Sequence, residues 1–171
     1  MDYFSILPED VVIMDLQANI VDGARKPSTE FEMHRIFYEK RPDISAVIHA
    51  HTEYATVLAC MRWDLPAVHY LIALAGKDVR CAKYATFGTP EIARNALEAM
   101  QDRYACLLAN HGLIAGGKDL ANVFKKAEEI EYCCQIYCRA KALGDPVILS
   151  EEEMEKHLQL FKTYGNADIP K

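Results

Sequence analysis

No apolar run in this sequence reaches the roughly 20 residues that a membrane-spanning helix needs. The opening Met1-Asp2-Tyr3-Phe4-Ser5 lacks the basic-then-apolar pattern of a secretion signal. A cationic excess is missing too: 19 Lys and Arg stand against 25 Asp and Glu, a net charge of −6. That balance excludes a general nucleic-acid binder, which would carry a basic face, but leaves room for a local basic pocket and an anionic substrate. The six cysteines (Cys60, Cys81, Cys106, Cys133, Cys134, Cys138) form no Cys-x-x-Cys pair, and read as small buried hydrophobes of a reduced cytoplasm. There is no Gly-x-Ser-x-Gly elbow, and Gly112, Gly116 and Gly117 make neither a dinucleotide nor a P-loop fingerprint. Internal repeats and low-complexity linkers are also lacking.

What is present is a chain of 171 residues, 51% hydrophobic, enough for one domain with a substantial core. Its most informative stretch is Ala46-Val47-Ile48-His49-Ala50-His51. In an extended strand, side chains two apart share a face, so both imidazoles point the same way. Two such histidines at a strand end are half of a metal site, since imidazole is a common ligand for Zn²⁺ and other divalent ions. Tyr104–Ala109 is a second apolar strand, ending in Asn110-His111-Gly112, where glycine permits close backbone approach. Glu30 falls in the first turn of an expected helix, beside free N–H groups. Each of these residues also has a plain reading, as a hydrogen-bonded histidine or a carboxylate complementing a helix dipole. His34, His69 and His157 read as structural.

The remaining pattern alternates. Val11–Asp15 reads as a buried strand with Ile20-Val21 as its returning partner. Because an isolated hairpin is marginal, these must pair with later strands or another subunit. Thr29 and Glu32 form a capping box for a helix over 30–40. Helices are expected over 52–61, over 90–100 after Thr89 as cap and Pro90, over 120–143 after Asp119, and over 151–161 after a Ser150/Glu153 box. A short strand is expected over 80–85. Strands alternating with helices indicate an α/β fold, a mixed sheet covered by helices.

Several segments occur together and in order: Lys26-Pro27-Ser28-Thr29-Glu30, His49-Ala50-His51, Pro66-Ala67-Val68-His69-Tyr70, Tyr84–Thr89, Asn110-His111-Gly112-Leu113 and Phe161–Gly165. Together they resemble the class II aldolase/adducin family, nearest to its branch acting on L-fuculose 1-phosphate. The resemblance implies a three-layer fold around a mainly antiparallel mixed sheet, and a cytoplasmic homotetramer with sites between subunits. It implies zinc, or another divalent metal, on His49, His51, His111 and Glu30, with Glu30 also acting as base. Ser28 and Thr29 match phosphate-holding positions. Tyr70 and Tyr164 match tyrosines beside the aldehyde, Tyr70 being the proton donor and Tyr164 acting on a neighbour's site. The implied activity is reversible retro-aldol cleavage of a ketose 1-phosphate to dihydroxyacetone phosphate and an aldehyde, through an enediolate held by the metal. Two alternatives belong to the same family: a pentulose-phosphate 4-epimerase and a non-catalytic, metal-stabilised adducin-like module. Family members carry a preceding helix and a glycine- and asparagine-containing phosphate loop. This chain starts after it, so an N-terminally shortened single domain over 1–171 is expected, with weakened phosphate binding.

Overall fold

A computed structural model describes residues 4–163. At its centre lies a four-stranded sheet built from β3 (Ala46–Ala50), β4 (Arg80–Ala82), β5 (Ala105–Leu108) and β6 (Gly112–Gly117), in the order β3-β6-β5-β4. The pairs β3–β6 and β5–β6 are antiparallel, and β4–β5 is parallel. The sheet is therefore mixed and mainly antiparallel. Helices cover both faces, α1 (Phe31–Lys40) and α3 (Pro90–Ala99) on one, α2 (Glu53–Met61) and α4 (Leu120–Leu143) on the other. Helix α5 (Glu151–Thr163) and a 3₁₀ segment (Tyr70–Leu74) extend the second layer.

The strands sort their side chains by alternation. Val47, Cys106, Leu108 and Ile114 face α1 and α3, with Met33 and Phe37. Ala46, Ala105, Leu107, Leu113 and Ala115 face the other layer, with Leu58, Val123, Ile130 and Cys134. A period of two on β3, β5 and β6 is thus what divides the core into two halves.

Several expectations are corrected. Strands β1 (Ile13–Met14) and β2 (Ile20–Asp22) do form a hairpin, but within this chain it is exposed rather than buried, and among the described residues it pairs with itself rather than with later strands. The chain's own helices already occupy both faces of the main sheet, so no layer of this chain remains to cover the ribbon. It is tied down locally instead: Asp15 Oδ1 accepts the N–H groups of Gln17 and Asn19, and Arg35 of α1 donates to the Leu16 carbonyl at 2.9 Å. The Thr29/Glu32 capping box does not form, because Arg35 holds the Glu32 carboxylate at 2.7 Å. Thr89 makes no capping bond; its hydroxyl donates to the Thr86 carbonyl. Asp119 does cap α4, accepting the Asn122 N–H, and Ser150 Oγ accepts the Glu153 N–H. Leu120 and Phe124 of α4 are exposed, although they fall at the same spacings of three and four as the buried Val123, Ala127 and Ile130. Of the cysteines, Cys106, Cys133 and Cys134 are buried, whereas Cys60 is exposed. No described helix is long and apolar enough to cross a membrane.

Candidate metal centre

The sheet ends the same way at three places: β3 and β5 stop, and β6 starts. His49 and His51 stand at the end of β3, and His111 stands in the turn between β5 and β6. That turn is sharp. Asn110 adopts a left-handed backbone (φ 55°), a conformation that asparagine tolerates better than most residues. Gly112 follows with no room for a side chain: a Cβ there would lie 2.5 Å from the Ala50 carbonyl oxygen and 3.1 Å from His51 Cδ2. The close approach of β6 to β3 is what brings His111 beside the pair.

Glu30 arrives from the α1 layer. It occupies the N-cap position of α1, and its N–H donates to Ser28 Oγ at 3.2 Å. Gly88 (φ 73°) backs onto the Thr29 carbonyl. Ser28 and Thr29, both exposed, therefore shape the turn that presents Glu30.

The four side chains converge. One ligand atom from each of Glu30, His49, His51 and His111 lies within 4.8 Å of the others. His49 Nε2 is 3.0 Å from His51 Nε2 and 3.3 Å from Glu30 Oε2, and His111 Nε2 is 3.2 Å from Glu30 Oε1. The three rings stand 4.8 Å apart, centroid to centroid. His49 Nδ1 lies 2.9 Å from the Leu113 carbonyl, which can only accept. That contact assigns the proton to Nδ1 and leaves a bare lone pair on Nε2, facing its neighbours. Burial also holds His49 and His111 below the usual histidine range, so that both rings are neutral near pH 7.

These residues fit a divalent cation. Glu30 Oε1 is buried and makes no hydrogen bond, although His111 Nε2 is near. A buried carboxylate oxygen left in that state calls for a positive partner. Neutral imidazoles with one carboxylate are a donor set for Zn²⁺ or a related ion. His51 is the exposed member, so the cluster is open to solvent on its side.

Residues 1–138 match the family model described as the class II aldolase and adducin N-terminal domain. The chain belongs to the class II aldolase and adducin family. Aldolases are prominent among its relatives. It is 52% identical over 165 residues to the 5-deoxy-D-ribulose 1-phosphate aldolase of Bacillus thuringiensis serovar kurstaki, covering 96% of this chain and 78% of that one. It is 39% identical over 165 residues to the L-fuculose phosphate aldolase of Escherichia coli K12, covering 95% and 76%. A solved L-fuculose 1-phosphate aldolase superposes with a TM-score of 0.92 at 57% identity, over 95% of this chain and 76% of the other. The mixed sheet with helices on both faces is that of the class II aldolase fold.

The two tyrosines stand apart from this convergence. The Tyr70 ring stacks on Phe161 (6.2 Å, 7°) and meets His69 and His157 at 4.7 and 5.4 Å. Among the described residues, none of its ring contacts is to the three site histidines. Tyr164 lies outside the described residues. His69 Nδ1 accepts the Leu71 N–H, and His34 lies partly buried on α1. One contact near the site carries no clear mark in the sequence: the Glu131 carboxylate reaches from α4 to the start of α2, and its place in a charged helical run resembles any solvated position.

Proposed function

We propose that the protein is a divalent-metal aldolase that reversibly cleaves a ketose 1-phosphate into dihydroxyacetone phosphate and an aldehyde. The observation that carries this reading is the convergence of three imidazoles and one carboxylate from three separate places on the fold: the end of β3, the turn between β5 and β6, and the start of α1. His49, His51, His111 and Glu30 would hold the cation, zinc in this reading. A cation bound there supplies Lewis acidity, which stabilises negative charge on the hydroxyketone oxygens when the C–C bond is made or broken.

The chain's own residues do the rest. In the condensing direction, Glu30 takes the C–H proton of the three-carbon ketone and the resulting carbanion attacks the aldehyde. A phenol, assigned to Tyr70 with Tyr164 beside it, gives its proton to the new hydroxyl. Cleavage runs the same transfers backwards. Ser28 and Thr29, exposed next to Glu30, are assigned to the phosphate. Half-exposed Tyr70, turned toward Phe161 and His157, suits delivery across a subunit boundary, as in a homotetramer. The relatives' names support a deoxyketose 1-phosphate. A 5-deoxyribulose 1-phosphate would release acetaldehyde, and L-fuculose 1-phosphate would release lactaldehyde.

Purified protein supplied with zinc is expected to release dihydroxyacetone phosphate from at least one of these two, measured by coupled reduction to glycerol phosphate. Release from neither refutes the aldolase reading. A 4-epimerase would return a stereoisomer with no free aldehyde, and an adducin-like module would do neither. His51→Ala is expected to lose the metal and keep its circular dichroism. A wild type that neither carries nor takes up a divalent ion refutes the site.

A further inference from the structure

Helix α2 joins the two strand ends that carry the histidines. It begins at Glu53, just after His51. Near its other end the Ala59 carbonyl accepts the N–H of Asn110, the residue before His111, at 2.9 Å. Arg62, directly after the helix, donates from Nε to Asn110 Oδ1 at 3.0 Å. The helix is therefore a strut between two ligand-bearing segments that belong to different strands.

Its own cap does not hold that strut at its start. Thr52 occupies the cap position with an extended backbone but makes no side-chain capping bond, and its Oγ1 is buried without a hydrogen bond. The first-turn N–H groups go elsewhere. Tyr54 N–H donates to Oε1 of Glu131, and Ala55 N–H donates to Oε2, each at 2.8 Å. A carboxylate is favoured there by the free N–H groups and by the helix dipole, and charge-assisted bonds of this kind are stronger than neutral ones. Two bonds from one rigid group fix both the height and the rotation of the helix end. Glu131 is itself held by its helix, because Ile130, Cys133 and Cys134 around it are fully buried in the core.

We propose that Glu131 is a positioning residue for the metal centre. By clamping the first turn of α2 it sets where His51 stands, and through α2 and Asn110 it sets where His111 stands. This rests on the metal reading above. Ligand sets tolerate small displacements poorly, and groups that orient ligands typically matter by about 10–100-fold in metal affinity.

Glu131→Gln keeps the side-chain volume and removes one of the two acceptors, and Glu131→Ala removes both. Metal-free protein is titrated with Zn²⁺ against a chelator, and the cobalt-loaded form is examined by visible absorption. Both variants are expected to bind Zn²⁺ about 10–100-fold more weakly, with a changed cobalt spectrum and native circular dichroism. Leu158→Ala on α5 lowers the melting temperature through lost packing and leaves affinity and spectrum unchanged. In the wild type, adding metal raises hydrogen-exchange protection at the Tyr54 and Ala55 amides, because coupling is reciprocal. A folded Glu131→Gln with wild-type affinity and spectrum overturns the proposal, as does metal binding that leaves those two amides unchanged. Wild-type protein that takes up no metal sinks the metal reading with it, whereas normal uptake with an indifferent Glu131→Gln sinks this inference alone.

Discussion

Replacing Gly112 by alanine will loosen the metal centre from within the sheet. The new Cβ would stand 2.5 Å from the Ala50 carbonyl oxygen, and ordinary contact begins at 3.4 Å. The obstacle is backbone, so it cannot swing aside as a flexible side chain would. Ala50 lies between His49 and His51 and pairs with Leu113 across the strands. Moving its carbonyl by most of an ångström therefore moves both ligands, and His51 Cδ2, 3.1 Å from the same Cβ, is pushed directly. Overpacking of this size costs about 1–3 kcal/mol of stability. Its effect on the metal is expected to be a loss of about 10–100-fold in Zn²⁺ affinity, measured by chelator competition. Gly116→Ala is the control. Its Cβ would meet the Ile44 side chain, Cδ1 at 2.6 Å, at the far end of the same strand, so any strain falls on that side chain and does not reach the histidines. If Gly112→Ala binds Zn²⁺ as tightly as the wild type, close approach of β6 to β3 is not what assembles the site.

Three further outcomes are expected. Saturating divalent metal, at about 1,000 times its Kd, contributes about 4 kcal/mol. For a chain of this size that raises the melting temperature by about 8–16 °C; His49→Ala abolishes the rise in a calorimetric scan, and a rise that persists places the ion elsewhere. Lys126 is buried, donates to the Gly116 carbonyl at 2.6 Å and sits over the Tyr104 ring; burial, helped by Arg41, pushes its pKa down from 10.5 to about 8. The unfolded chain then holds a proton that the native state releases, so stability rises with pH between about 8 and 10.5 by on the order of 3 kcal/mol. Lys126→Met should flatten that rise in urea titrations, and an unchanged profile refutes the assignment. A thiol reagent is expected to modify exposed Cys60 first in native protein, because burial pushes Cys81 up to about 11 and Cys133 up to about 12 and raises Cys106 and Cys134 as well; early labelling of Cys106 by mass spectrometry would contradict the packing.

Local caps were legible only in part. Asp119 and Ser150 do what their type and position imply. Thr29 does not, because the cap position of α1 falls one residue later, at Glu30; Glu32 and Thr89 do not because each had a competitor, Arg35 one turn along α1 or a carbonyl three residues back. A capping signature names a donor and an acceptor without saying what else lies within reach. The hairpin of β1 and β2 shows the same limit for burial. Apolar residues such as Ile13, Ile20 and Val21 mark a strand, but whether a layer covers it depends on elements far along the chain.

What the sequence determined by itself is what short-range geometry controls. A period of two puts His49 and His51 on one face of β3, and periods near 3.6 place Val123, Ala127, Ile130 and Cys134 along one side of α4. Tertiary structure alone decided that Glu30 and His111 reach that pair, that Tyr70 faces Phe161 instead, and that Glu131 clamps α2. Those facts depend on antiparallel register between β3 and β6 and on where α1 and α4 settle against the sheet. Register and packing are set by the whole core at once, and no local spacing encodes them.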